Sequence, residues 1–125
     1  MEPERVKDKR FDRLAQQWGC DLAVVVRTST KGYPTFAIQI DGRYVGRPKW
    51  IPYREIKRRI QALVLARRAL RGKITDWNRA WKLGSWLLAL RERPDEMESI
   101  KYHASIRWRK RHVWDILYAV QEISV

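Results

Sequence analysis

The sequence predicts an α+β protein: an N-terminal helix, a three-stranded antiparallel β-meander, then three to four helices. Three observations predict it. Residues 22–46 are rich in β-branched and alternating side chains and are punctuated by two turn signals. Residues 50–73 place apolar side chains at helical spacing between Pro52 and Gly72. Residues 76–92 show a broader apolar face behind the capping pair Thr75-Asp76. A chain of 125 residues has the length of one domain, read as 1–21 helix, 22–46 meander and 53–125 helical part.

The first element is a short helix within Glu4 to Trp18. Phe11, Leu14, Ala15 and Trp18 recur at three- and four-residue intervals, and Gly19 ends the pattern. Five basic and five acidic residues make 1–21 electrically neutral. Next comes LAVVVRTST, then a turn at Lys31-Gly32-Tyr33-Pro34, then TFAIQI, a tight turn at Asp41-Gly42, and RYVG. In the second strand Phe36, Ile38 and Ile40 share one face, and Thr35, Ala37 and Gln39 share the other. Ala23 to Val26 is continuously apolar, which suits a central strand or one covered on both faces. That two-sided hydrophobicity could also seed a homodimer. Arg47 to Pro52 reads as an extended connector, held out of helix and sheet by Pro48 and Pro52.

The stretch Trp50 to Lys73 reads as one long amphipathic helix. Ile56, Ile60, Leu63 and Leu70 form its apolar stripe, with Val64 and Ala66 at the margins. Arg54, Lys57, Arg58 and Arg68 project to the opposite side. Arg67 falls close to the stripe, which calls for a buried acid, an interrupted helix or a polar partner. The next helix, 76–92, presents Trp77, Ala80, Trp81, Gly84, Leu87 and Leu88, flanked by Leu83 and Leu90. Trp86 points away from that face and is expected to be exposed. Beyond Arg93-Pro94, an acidic start at Asp95, Glu96 and Glu98 suggests a short helix to about Ala104. A last helix runs from about Val113 to Ile123.

Charge is the strongest global property. The net charge is +13 and the isoelectric point about 10.5, so an anionic partner is expected to relieve self-repulsion. Residues 53–73 hold eight Lys/Arg against Glu55 alone, more than half of the net charge. Nucleic acid is the expected partner. Three basic elements recur: the sheet with its connector (Arg27, Lys31, Arg43, Arg47, Lys49), the long helix, and Arg107-Trp108-Arg109-Lys110-Arg111. Aromatic residues are interleaved with them: Tyr33, Tyr44, Trp50, Tyr53 and Trp108. Cations neutralise phosphates and aromatic rings stack on bases. The candidate binding residues are therefore Lys31, Arg43, Arg47, Lys49, Trp50, Tyr53, Arg54, Lys57, Arg58, Arg68, Arg107, Trp108, Arg109, Lys110 and Arg111. Trp77, Trp81 and Trp114 read as core.

The order of sheet and following helix, carried by FAIQIDGRYVG from Phe36 to Gly46, resembles the sheet-reading DNA-binding domains of the AP2 and integrase arm-binding type. The likeness covers about 45 residues and implies strands in a DNA groove braced by a helix. It has no signature motif and carries no functional residue to this chain.

Catalysis finds no support. Asp41 with Glu55-Ile56-Lys57 follows the D…E-x-K order of metal-dependent nucleases, but there the last motif lies on a strand and here it opens a helix. His103 and His112 lack partner ligands, and no Ser-His-Asp, Cys-His, Walker-type or GxGxxG arrangement occurs. Neither a cofactor nor a metal is expected. Cys20 is the single cysteine, so an intracellular, reducing, cytoplasmic setting is expected, and Cys20 reads as a small buried side chain. No apolar run is long enough to span a membrane, and MEPERVKDKRF is no signal peptide. The alternative is a small regulator or inhibitor of mobile-element or phage type, bound to an acidic protein or a ribonucleoprotein. Guanidinium groups suit carboxylates as well as phosphates.

Overall fold

The computed structural model describes residues 3–93 and 95, and within them the chain is α+β: a four-stranded antiparallel sheet and three helices. The elements are β1 (Glu4–Arg5), α1 (Lys9–Trp18), β2 (Leu22–Thr28), β3 (Pro34–Ile40), β4 (Arg43–Val45), α2 (Tyr53–Ala69) and α3 (Trp77–Glu92). The expected helices near 95–104 and 113–123, and the basic run 107–111, lie outside the described residues. The chain divides into two compact units, Met1–Ile60 and Gln61 onward, with the boundary inside α2.

In the first unit the strands lie in the order β1-β2-β3-β4. The meander is as expected, and one strand is added. Glu4 and Arg5, which fall in the segment expected to hold only a helix, instead pair with Val26 and Val25. No pattern in Glu4-Arg5 announces a strand; it forms because the outer edge of β2 needs hydrogen-bond partners. The Val6 N–H extends the pairing to the Val24 carbonyl at 2.8 Å. The helix therefore starts later, at Lys9. Asp8 caps it, its carboxylate accepting the Arg10 N–H at 2.8 Å. With β1 and β3 on either side, β2 is interior, and Leu22 to Val25 are all buried.

β2 and β3 pair from Leu22↔Ile40 to Thr28↔Pro34, and β3 pairs β4 from Ile38↔Val45 to Ile40↔Arg43. Asp41 and Gly42 make the two-residue turn between β3 and β4, both at positive φ. After Val45 the chain departs from the extended connector expected of it. It leaves the sheet at Gly46 and returns at Ile51, which bridges Phe36 through two hydrogen bonds of 2.8 Å. Six residues of this strand thus pass two of β3, so four extra residues loop out at the sheet's side. The Arg47–Pro48 peptide in this loop is cis.

Ile51 therefore bridges to the sheet, and α2 begins at Tyr53, where the helical part is expected to start, so that Trp50, read as the first residue of the amphipathic stretch, lies in the loop ahead of it. Its first turns bury Ile56 and Ile60, and Arg59 between them.

In the second unit, Ala62, Leu65 and Ala66 of α2 form a core with Ala80, Leu83, Leu87, Leu88 and Leu90 of α3. Gly84 is the point of closest approach: a methyl group there would run into the Ala62 carbonyl. This contact explains why Ala66, expected at the margin of the stripe, is fully buried. Asp76 caps α3 as expected, accepting the N–H groups of Asn78 and Arg79 at 3.0 and 3.2 Å. Trp77 and Trp81 pack against the core. So does Trp86, contrary to the expected exposure, because the apolar face of α3 is wide enough to reach it. Arg67 is partly buried and sets its guanidinium beside Gly72. No helix among the described residues is long and apolar enough to cross a membrane.

Candidate nucleic-acid interface

Strand parity sorts the side chains of the sheet onto two faces. Paired residues point the same way and neighbours along a strand point opposite ways. One face carries Leu22, Val24, Val26, Phe36, Ile38, Ile40 and Val45. The start of α2 lies on it, since the Tyr53 ring meets Phe36 edge-on with centroids 5.0 Å apart. The other face carries Ala23, Val25, Arg27, Thr35, Ala37, Gln39 and Tyr44.

That second face gains a tryptophan from the loop. The antiparallel bridge at Phe36↔Ile51 sets Trp50 alongside Ala37. The Arg27 guanidinium lies over the Trp50 ring at 4.0 Å from its centroid. On Trp50's other flank stands Tyr44, with centroids 5.7 Å apart and the rings tilted by 57°. The ammonium of Lys49 sits 5.2 Å from the Tyr44 ring. The result is a row across three strands and the loop: Arg27, Trp50, Tyr44, Lys49. Both rings are partly exposed and both cations are exposed, while Ala37 beneath them is completely buried.

The base of the loop is held from the helix side. Gly46 adopts φ +95°, and the space a side chain would take there is filled by the Arg59 guanidinium. Arg59 is 7% exposed, and its Nη1 donates to the Val45 carbonyl at 3.4 Å. Burial pushes this guanidinium below its ordinary pKa, and Glu55 nearby partly opposes that.

A smaller cationic group stands on the Phe36 face. The Asp8 carboxylate binds Arg10 through Nε and Nη2 at 3.2 and 2.8 Å. These hydrogen bonds hold Asp8 below the usual carboxylate range and raise Arg10, with Tyr53 adding a smaller contribution to the latter. Lys57 reaches the Tyr53 ring at 5.9 Å.

The expected binding residues are thus divided. Lys49 and Trp50 join the row, and Arg47 is exposed in the same loop. Lys31 lies exposed in the β2–β3 turn, beside Tyr33, whose ring side chain is 54% exposed. Arg43 begins β4 opposite Ile40, on the Phe36 side. Tyr53 opens α2, and Arg54, Lys57 and Arg58 are exposed along its first turns. Arg68 is exposed in the second unit, and Arg107 to Arg111 lie outside the described residues. Arg27 and Tyr44 are central to the row, although sequence reading does not single them out beyond a basic or aromatic stretch. Their strand parity with Thr35 and Gln39 is the signal that could have done so.

The Asp41 carboxylate accepts the Asp21 N–H at 2.9 Å, and Glu55 lies in the first turn of α2. Among the described residues no group of three His, Cys, Asp or Glu could hold a metal ion. No protein-family profile, curated protein or solved structure matches this chain.

Proposed function

We propose that this protein binds nucleic acid and carries out no chemistry on it. The row Arg27–Trp50–Tyr44–Lys49 supports the reading, because it sets exposed cations and partly exposed, stackable rings side by side on one face of the sheet. Residues 22–54 contain six basic side chains and one acid, Asp41, whose carboxylate is engaged by the backbone. A cation over an exposed ring contributes about 0.5–1 kcal/mol. A stacked base contributes about 1–3 kcal/mol. A base can therefore displace the Arg27 guanidinium from Trp50, which frees that guanidinium for a phosphate. Arg47 in the loop and Lys31 at the hairpin tip extend the positive surface. The α2 cations Arg54, Lys57 and Arg58 add to the long-range field that attracts a polyanion.

The test is fluorescence anisotropy with labelled single- and double-stranded DNA and RNA across a range of salt. Binding whose logarithm falls steeply with log salt supports phosphate contact, at about 0.9 per phosphate on duplex DNA. Absence of binding to all four probes at low salt sinks the reading, and an acidic protein becomes the partner to capture.

A further inference from the structure

We infer that the Trp50 face receives an unpaired base of a single strand, and that Gln39 reads the edge of that base. This deepens the nucleic-acid reading and rests on it. The first support is the guanidinium of Arg27, which lies 4.0 Å from the Trp50 centroid. It is planar and delocalised and occupies an aromatic face as a base does. The fold thus already holds a flat cation where a flat base would go. Bases inside a duplex have both faces covered by their neighbours and offer only edges in the grooves. Rings lying on a sheet gain from a base only when that base is unpaired.

The second support is what surrounds the ring. Along β3, Thr35, Ala37 and Gln39 share the Trp50 face, and Gln39 is directly opposite Tyr44. Ala37 is buried beneath the row, and Thr35 beside it is small and partly exposed. Gln39 is partly exposed and ends in an amide with a donor beside an acceptor. Such an amide matches a base edge that also presents both, as adenine does with N6 and N7. Tyr44 is paired with Gln39 across the strands and lies beside the Trp50 ring. Lys49 and Arg47 are exposed in the same loop, where they can meet phosphates next to the stacked nucleotide.

The experiment uses the full chain, short single strands of each homopolymer in DNA and RNA form, and mixed-sequence duplexes of equal length at matched salt. The expected result is single-strand binding about tenfold or more tighter than duplex binding. Trp50→Leu keeps an apolar cover over Ala37 and removes the ring; it is expected to cost about tenfold on single strands and little on duplex. Gln39→Ala is expected to level the preference among homopolymers without changing the salt slope. The DNA and RNA arms show whether the 2′-hydroxyl is sensed. Duplex bound as tightly as single strand by the unaltered protein overturns the inference while nucleic-acid binding stands, whatever the folding of the variants. Equal homopolymer preference in the unaltered protein and Gln39→Ala removes the role of Gln39. Failure of every probe to bind overturns both readings.

Discussion

The guanidinium of Arg59 occupies the place where a side chain at position 46 would be, and so Gly46 and Arg59 form one joint. It lies where the chain leaves the sheet to make the loop that carries Lys49 and Trp50. Gly46→Ala adds a methyl against a buried guanidinium at φ +95°, a backbone conformation that side chains other than glycine rarely adopt. A loss of about 1–3 kcal/mol in urea unfolding is expected. Arg59→Lys keeps a charge but loses the planar fork, and it is expected to lower both thermal stability and nucleic-acid affinity. Unchanged affinity in a folded Arg59→Lys protein would show that the loop does not depend on this joint.

Gly84 serves a different purpose in the second unit. Alanine is the better helix former by about 1 kcal/mol, so Gly84→Ala ought to stabilise α3 if nothing touched it. The Ala62 carbonyl is backbone and cannot turn aside, so overpacking, at about 1–3 kcal/mol or more, is expected to outweigh the gain and leave a net destabilisation. A melting temperature at or above that of the unaltered protein would refute the close approach of the two helices.

The cap of α3 can be tested separately. Asp76 accepts two N–H groups that the helix itself leaves without partners. Asp76→Ala is expected to cost about 1 kcal/mol, and Asp76→Asn much less, since asparagine caps nearly as well. Chemical denaturation of both variants gives the comparison.

Asp8 supplies a pH dependence. Its carboxylate is held below the ordinary value of 3.8 in the folded protein, chiefly by its hydrogen bonds to Arg10. The stabilisation is therefore complete above pH 3.8 and is lost as the pH falls through the lower, folded value. Asp8→Asn retains a cap acceptor and removes the charge. Its melting temperature should lie slightly below that of the unaltered protein at neutral pH and converge with it in acid. A gap that stays constant down the whole pH range would exclude the ion pair as its source.

Two sets of charge reversals separate contact from attraction. Arg27→Glu with Lys49→Glu strikes the ring row, and the salt slope is expected to fall by about 1 for each phosphate contact removed. Arg54→Glu, Lys57→Glu and Arg58→Glu lie along α2, away from the row, and are expected to slow association mainly at low salt. Stopped-flow association rates and anisotropy titrations together distinguish them. If the helix triple removes binding at all salt concentrations and the row double does not, the contact face is α2.

Much of this architecture is legible in the sequence. The alternation in TFAIQI and the Asp41-Gly42 turn announce the meander, and Asp76 ahead of an apolar pattern announces α3. The rest depends on contacts distant in sequence. β1 has no pattern of its own and exists because the outer side of β2 needs partners. The return of Ile51 to Phe36 depends on hydrogen-bonding groups of β3 and is hidden by prolines at 48 and 52, which read as an extended connector. Arg59 falls three residues after Ile56, on the buried side of α2, but its charge conceals that position. Arg67 draws attention for the same reason and is less deeply buried. The candidate site follows suit: Lys49 and Trp50 stand out as a charge beside an aromatic residue, whereas Arg27 meets Trp50 only once the strands are paired.

The loop from Gly46 to Trp50 has a consequence for how many such molecules can crowd together. A sheet ends in two rows of backbone groups that a second sheet could extend, and long flat borders invite aggregation. Here one border is β1, two residues long and made of Glu4 and Arg5. The other is β4, which runs for three residues before the chain swings out. Among the described residues, neither of these border strands offers a length on which a neighbour could build a ladder. A basic protein gathered along a polyanion meets many copies of itself at close range. The excursion that presents Lys49 and Trp50 also breaks the border, so crowded copies can remain separate sheets.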